Sequence, residues 1–379
     1  MVYLDYSATT PVNKDVLDVY NKVCLEYPGN SNSFHKLGIK SKELEDKCTE
    51  RIAELLGVKS KEIIYTSGSS ESNNTAIKGI CLKYQNRGRH IITTNLEHSS
   101  VISPLNYLVD LGFEVSFVNI LENGLIDLEH LKTLLRDDTI LVSISYVDSE
   151  LGIKQPINEI GEILKEYPKC YFHVDCTQAI GKINVDFKNI DLASISAHKF
   201  YGLKGIGLLI KKENIVFYGT GRRIHGGKST TIYRSGTPPL PLIASLTKAL
   251  ELIIPNIDKN YAYITKLNNK IVTTLKEYSN VHINSTDNSI VQIINFSVLG
   301  VKPETMLHAL EEYDIYISTK SACSDVHSLS KSVLTLTKNK EYASSTLRIS
   351  LSYLTTIEEV DYFLEKFDIC YNKLLLKTK

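Results

Sequence analysis

Leu192-Ala193-Ser194-Ile195-Ser196-Ala197-His198-Lys199-Phe200-Tyr201-Gly202-Leu203-Lys204-Gly205 is a short apolar run that ends in a basic residue and a glycine-rich turn. Its first five residues read as a buried strand. Lys199 then stands at the strand's carboxyl end, where loss of water favours the neutral amine and makes it a candidate Schiff-base nucleophile. The other reading of an isolated lysine is a surface side chain whose stem snorkels over apolar neighbours. Ser196 and His198 flank Lys199 with polar groups suited to a phosphate.

Outward from this stretch the same pattern repeats. Short β-rich runs fall at residues 63–66, 90–94, 114–118, 140–145, 171–174 and 206–210. Helix-like stretches fall between several of them, at 70–85, 99–111, 128–135 and 157–166. Strands alternating with helices imply an α/β fold with a mostly parallel sheet covered on both faces. In such sheets ligands sit at the carboxyl ends of strands. The alternation stops near residues 238–241. A long helical stretch is predicted over 242–278, then a strand near 291–296, a helix near 304–313 and an extended piece at 315–318. Residues 321–345, rich in Ser, Lys and Thr, read as a loop before a last strand at 346–350. A large domain over residues 15–250 and a smaller C-terminal α/β domain over 251–379 follow, with segment 1–14 packing on the smaller one.

Other strand ends also carry chemistry. Residues 63–66 run into Ser67-Gly68-Ser69-Ser70 and a helix with Glu71. A small-residue turn opening a helix offers free N–H groups and a positive dipole end, an anion cradle, although an ordinary helix cap looks the same. Strand 171–174 ends in Asp175, followed by Gln178. An acid there is costly unless a cation meets it, as a protonated pyridine nitrogen would; the plainer reading is an N-cap. Strand 90–94 leads to His98, which either lies on a flat ring or merely starts a helix. An anion cradle, an acid, a lysine and an aromatic partner at the strand ends of one sheet form the set that pyridoxal 5′-phosphate needs.

Bulk properties narrow the class. With 379 residues the chain is long enough for two cores. Lys plus Arg and Asp plus Glu number 43 each, which argues against a general nucleic-acid binder. No unbroken apolar run approaches the roughly 18–20 residues of a membrane span, and residues 1–11 lack a basic start and an apolar signal core. A cytoplasmic protein is expected. The seven cysteines are scattered without a Cys-x-x-Cys pair, so neither a disulfide framework nor a metal site is expected.

The chain resembles the cysteine desulfurases of the class V aminotransferase group, enzymes of PLP fold-type I. The resemblance runs from about Tyr3 to Phe367. It is carried by Tyr3 to Pro11, Gly29 to His35, Thr66 to Asn74, Ser196-Ala197-His198-Lys199-Phe200-Tyr201-Gly202, Ser321-Ala322-Cys323-Ser324 and Arg348-Ile349-Ser350. It implies that Lys199 links covalently to the cofactor, Asp175 pairs with its pyridine nitrogen, and Gln178 touches its ring oxygen. His98 would stack on the ring and help move protons. Ser69, Ser70, Ser196 and His198 would bind the phosphate, Ser149 would face the ring oxygen, and Arg348 would hold the substrate carboxylate. Thr237 would reach the phosphate of a neighbouring subunit, implying a homodimer. The Cys323 thiolate would attack the sulfur of L-cysteine, releasing alanine and keeping a persulfide.

The long polar stretch 324–345, without Pro or Gly, is similar to the group-I desulfurases and would carry that sulfur to an acceptor protein. The acceptor is left open: an iron–sulfur scaffold, a tRNA-thiolation enzyme or a cofactor pathway. The alternatives are another class V enzyme, such as an aminotransferase or selenocysteine lyase, or a PLP-fold partner impaired in turnover. The chain departs from the family pattern at Asp148 and Ser149, where two asparagines are usual. Asp148 would set a negative charge against an approaching anionic substrate. Further departures are Tyr6-Ser7, residues 225–231 and Cys176.

Overall fold

A computed structural model describes residues 1–217, 233–319 and 329–376. In chain order the N-terminal half holds β1 (Val2–Tyr3), α1 (Lys14–Glu26), α2 (Lys36–Leu56), β2 (Ile63–Thr66), α3 (Ser69–Tyr84), β3 (His90–Thr93), α4 (Ser99–Asp110), β4 (Glu114–Phe117), α5 (Leu128–Leu134), β5 (Thr139–Ser145), α6 (Ile157–Leu164), β6 (Tyr171–Asp175), β7 (Leu192–Ser196) and β8 (Gly207–Lys211). The C-terminal half holds α7 (Leu240–Ile253), α8 (Ile257–Leu275), β9 (Val281–Ile283), β10 (Ile293–Val298), α9 (Pro303–Glu311), β11 (Ile315–Tyr316), α10 (Lys331–Thr337), α11 (Lys340–Ser344), β12 (Thr346–Ser350) and α12 (Ile357–Leu376).

Seven strands form one sheet in the order β2-β8-β7-β6-β5-β3-β4. Only β8 runs against its neighbours β2 and β7; the other pairs are parallel. The expected α/β architecture is therefore present, with one reversed strand. Strands β3, β5, β7 and β8 are buried along their whole length, as near-continuous apolar runs demand. Edge strand β4 is the exception, with Glu114 and Phe117 exposed. Because two reversals cancel, β2 runs the same way as β7. The carboxyl ends of β2, β3, β5, β6 and β7 thus open along one rim.

A three-stranded antiparallel sheet, β12-β10-β9, forms a second layer. Its core joins Phe296 of β10 and Leu347 of β12 to Leu267 and Ile271 of α8, Met306 of α9, and Phe363 and Phe367 of α12. β1 pairs in parallel with β11, so the N-terminal strand lies against this C-terminal layer.

Three expectations differ from the structure. The stretch 242–278 is two helices, because Pro255 in the turn Ile254–Asn256 cannot supply the N–H an unbroken helix needs. The run Leu240–Leu275 is long and apolar enough, by length and composition, to cross a membrane; Ile243, Leu246, Leu250 and Ile253 are instead buried in the core. The loop expected over 321–345 is helical in its second part, as α10 and α11. Ser330 caps α10 by accepting from the Val333 N–H, and Val333, Leu336 and Ala343 bury against Leu96, Leu151 and Ile153. Amphipathic spacing in a Ser/Thr-rich segment carried that signal.

Candidate functional site

The rim of the large sheet faces a cavity of about 590 Å³. Lys199 ends a single 3-10 turn, Ala197–Lys199, that follows β7. Its Nζ donates to the Ser7 carbonyl at 2.6 Å and the Ala8 carbonyl at 2.8 Å. The N-terminal segment is strapped over this turn: Thr10 donates through both N and Oγ1 to the His198 carbonyl at 3.0 Å, and Tyr201 N donates to Thr10 Oγ1 at 2.7 Å.

Asp175 ends β6 and is buried. Its carboxylate accepts from Asn73 Nδ2 at 2.8 Å, from Thr177 N at 3.0 Å and from the Thr177 hydroxyl. Three donors shared between its two oxygens leave the carboxylate with lone-pair capacity for a cationic N–H from the cavity. Asn73 Nδ2 also reaches Ser100 Oγ at 2.9 Å, and Ser100 Oγ lies 2.8 Å from His98 Nδ1. His98 caps α4, and the Ser100 N–H donates to Nδ1 at 3.1 Å. A donor aimed at Nδ1 makes that nitrogen the acceptor, so the neutral ring carries its proton on Nε2. Burial holds the His98 pKa below the ordinary range, against the pull of the Asp175 charge.

Gly68 precedes α3 with φ of 149°, a conformation that favours glycine. A Cβ on Gly207 would lie 2.7 Å from Gly68 Cα, so two bare backbones meet where β8 passes the turn. Ser69 and Ser70 open α3 at the cavity wall, with Ser196 and His198 opposite. Ser69 Oγ lies 2.6 Å from Thr177 Oγ1 and, because the Thr177 proton goes to Asp175, is the donor of the pair. Burial first, then the Lys199, Lys204 and Lys182 charges, bring the His198 pKa down to about 4, so it faces the cavity uncharged near neutrality. Glu71 at the lip is paired with Arg234 at 2.7 Å.

Arg348 is 2% exposed, on β12 opposite Asn295 of β10. Nη1 donates to the Ser149 carbonyl at 2.8 Å and Nη2 to Asp5 Oδ1 at 2.7 Å. Among the described residues Nε has no partner. A buried guanidinium on a cavity wall is suited to meet an anion.

The cavity thus brings together Ser69, Ser70, His98, Ser149, Asp175, Gln178, Ser196, His198, Lys199 and Arg348. Thr237 is exposed and does not line it. Cys323 lies outside the described residues. The charge expected from Asp148 is not in the cavity. Asp148 is 2% exposed and turned away, accepting from the N–H groups of Glu150 and Leu151 and from Ser332 Oγ. Burial, with the Glu150 charge added, pushes its pKa up to about 7. Asp148 closes a tight turn with its own backbone, as short acids do, so it does not oppose an anionic substrate.

Sequence reasoning missed Asn73, Ser100 and Thr177, which orient Asp175 and His98, and Asp5, the partner of Arg348. Thr177 and Ser100 were signalled, each two residues after its partner as in an Asx turn or a helix cap. Asn73 and Asp5 come from distant elements. Glu97 was also missed: half-buried, it accepts from Thr94 Oγ1, Ser145 N and Ser145 Oγ, and loss of water around the carboxylate pushes its pKa up to about 7. It ties the His98 turn to the end of β5.

The site fits pyridoxal 5′-phosphate on these grounds. Gly68 lines the cavity with bare backbone, and a Cβ there would meet only Ser196 Oγ at 3.3 Å, so the turn leaves the start of α3 open to a phosphate. The buried Asp175 carboxylate suits a pyridinium, and the Lys199 amine lies on the same cavity.

The aminotransferase class-V family profile matches residues 2–363. A protein of Dictyoglomus turgidum named cysteine desulfurase IscS is 39% identical over 378 residues, covering 98% of this chain and 95% of the relative. A NifS/IcsS homologue of Lactobacillus delbrueckii is 40% identical over 385 residues, covering 98% of this chain and 97% of the relative. Among solved structures, a NifS-like protein superposes with a TM-score of 0.92 at 34% identity, covering 98% of this chain and all of the other. A structure titled SspA in complex with cysteine gives 0.81 at 32%, covering 94% of this chain and all of the other.

Proposed function

Because the chain belongs to the class-V aminotransferase family, we propose that this cavity is the place where its own residues bind L-cysteine and set up removal of its sulfur. The protein is a pyridoxal 5′-phosphate-dependent cysteine desulfurase. What carries the assignment of residues is the convergence of Lys199, Asp175 and Arg348 on one cavity.

Ser69, Ser70, Ser196 and His198 would hold the phosphate, with Thr237 reaching it from a second copy of the chain. Asp175 would hold the pyridine nitrogen, Gln178 and Ser149 the ring oxygen, and His98 the ring face. Lys199 would make the covalent link. When bound, the cofactor supplies an electron sink for the bonds around the amino-acid α-carbon.

Arg348 would fix the substrate carboxylate, and the Ser149 carbonyl and Asp5 keep its guanidinium aimed. The Lys199 amine, held over the cavity by two carbonyls, would take and return protons. His98, with its proton on Nε2, would offer a donor on the same side. The Cys323 thiolate would then attack the substrate sulfur: an S–S bond forms, the C–S bond breaks, and its electron pair stays on carbon and ends as a C–H bond of alanine. The persulfide would pass to an acceptor protein in iron–sulfur assembly, tRNA thiolation or another cofactor pathway. The working unit would be a cytoplasmic homodimer, with residues 15–250 and 251–379 as its large and small domains.

The test is incubation of the purified holoenzyme with L-cysteine and a reductant. Sulfide and alanine in equal amounts are expected, and Cys323→Ala should abolish both while keeping the visible band of the bound cofactor. Equal activity in Cys323→Ala would remove the sulfur-transfer assignment.

A further inference from the structure

Behind Gln178 lies a second buried lysine that has no part in the roles above. Lys182 is 9% exposed, and its Nζ donates to Gln178 Oε1. Gln178 Nε2 donates to the Ser7 carbonyl at 2.9 Å. The same carbonyl accepts Lys199 Nζ at 2.6 Å. Two amines therefore stand at the two ends of one bridge, made of the Gln178 amide and the Ser7 carbonyl. Gln292 Nε2 donates to the Lys182 carbonyl at 3.1 Å and holds the turn in place.

The bridge has only one reading. Lysine nitrogen is a donor and a backbone carbonyl is an acceptor. The Gln178 amide oxygen must therefore face Lys182, and its N–H group must face Ser7. Among the described residues no carboxylate forms an ion pair with Lys182. The charged and titratable groups around the two amines are Arg348 with its partner Asp5, Asp175, His98, His198 and Lys204. Burial, followed by the Lys199 and Arg348 charges, pushes the Lys182 pKa well down.

We propose that Lys182 is a positioning residue for the desulfurase: it fixes the Gln178 amide with its N–H group toward Ser7 and sets a second amine behind that of Lys199. The inference rests on the reading of this cavity as the cofactor site. With its pKa well down, Lys182 acts as a neutral donor to the amide and not as a like charge on Lys199. The orientation it fixes leaves the second Gln178 N–H group for the ring oxygen of the cofactor, the contact proposed above; a donor there would favour the anionic oxygen and so lower the pKa of the link at Lys199.

The experiment is a pH titration of the visible band of the holoenzyme in wild type, Lys182→Met and Lys182→Arg. In Lys182→Met the midpoint is expected to rise by roughly one pH unit, with kcat falling about fivefold and KM for cysteine little changed. Lys182→Arg is expected to keep the wild-type midpoint. A midpoint in Lys182→Met that stays in place or falls overturns the proposal, and Lys182→Gln gives the same reading if the methionine variant does not fold. A wild-type enzyme with a normal band but no sulfide or alanine would defeat the desulfurase assignment alone, and the midpoints would still decide the part played by Lys182.

Discussion

Asp148 shows how one side chain changes meaning once its surroundings are known. As sequence it threatens an anionic substrate; as structure it is a buried turn-closer with a pKa near 7. A carboxyl raised from its ordinary 3.8 to about 7 adds stability that is complete below pH 3.8 and is lost as the pH rises through 7. Asp148→Asn removes that dependence. The stability of the variant relative to wild type, measured by calorimetry, should be greater at pH 8 than at pH 5 by an amount on the order of 1–3 kcal/mol. An equal difference at both values would refute the account. Gly68 makes a second prediction. Its φ of 149°, and the 3.3 Å that would separate an added Cβ from Ser196 Oγ, mean that Gly68→Ala strains the phosphate cradle. Cofactor affinity, followed by fluorescence titration, should weaken by about tenfold or more, with little loss of helix content.

Among the elements, α10 links the two halves of the site. Its cap Ser330 donates to Glu150 Oε2, and Ser332 donates to Asp148 Oδ1. Between those two acids the Ser149 carbonyl holds Arg348. Three consecutive residues therefore grip both the guanidinium and the helix that follows the Cys323 segment. Ser330→Ala removes a cap and a buried partner, and should cost about 1–2 kcal/mol in denaturant unfolding; no change would mean that α10 is held by its apolar face alone. The strands of the large sheet were legible to within a residue or two, because both-face burial writes apolar runs into the sequence. α10 and α11 were not, since Ser and Thr make a packed helix resemble a loop. Asn73 and Asp5, partners of Asp175 and Arg348, were illegible for another reason: they lie far off in sequence, and only the folded rim brings them in.

At the scale of the whole molecule, the site is closed by the two ends of the described chain meeting. Ser350 N donates to the Leu4 carbonyl at 2.7 Å, Ser7 N donates to Ser350 Oγ at 2.8 Å, and Asp5 pairs with Arg348. Arg348→Lys loses the second prong of this grip and should raise KM for cysteine about tenfold or more with a smaller effect on kcat; steady-state alanine formation checks it. The meeting also sets a schedule. On a ribosome adding roughly 5–20 residues each second, the segment that carries Leu4 and Ser7 is made long before β12. Nascent chains that stop short of β12 can pair β1 with β11 and lay residues 7–10 over Lys199, but they lack Arg348 and the Ser350 contacts that fasten Leu4 and Ser7, so competence to bind substrate arrives with β12 rather than accumulating along the way.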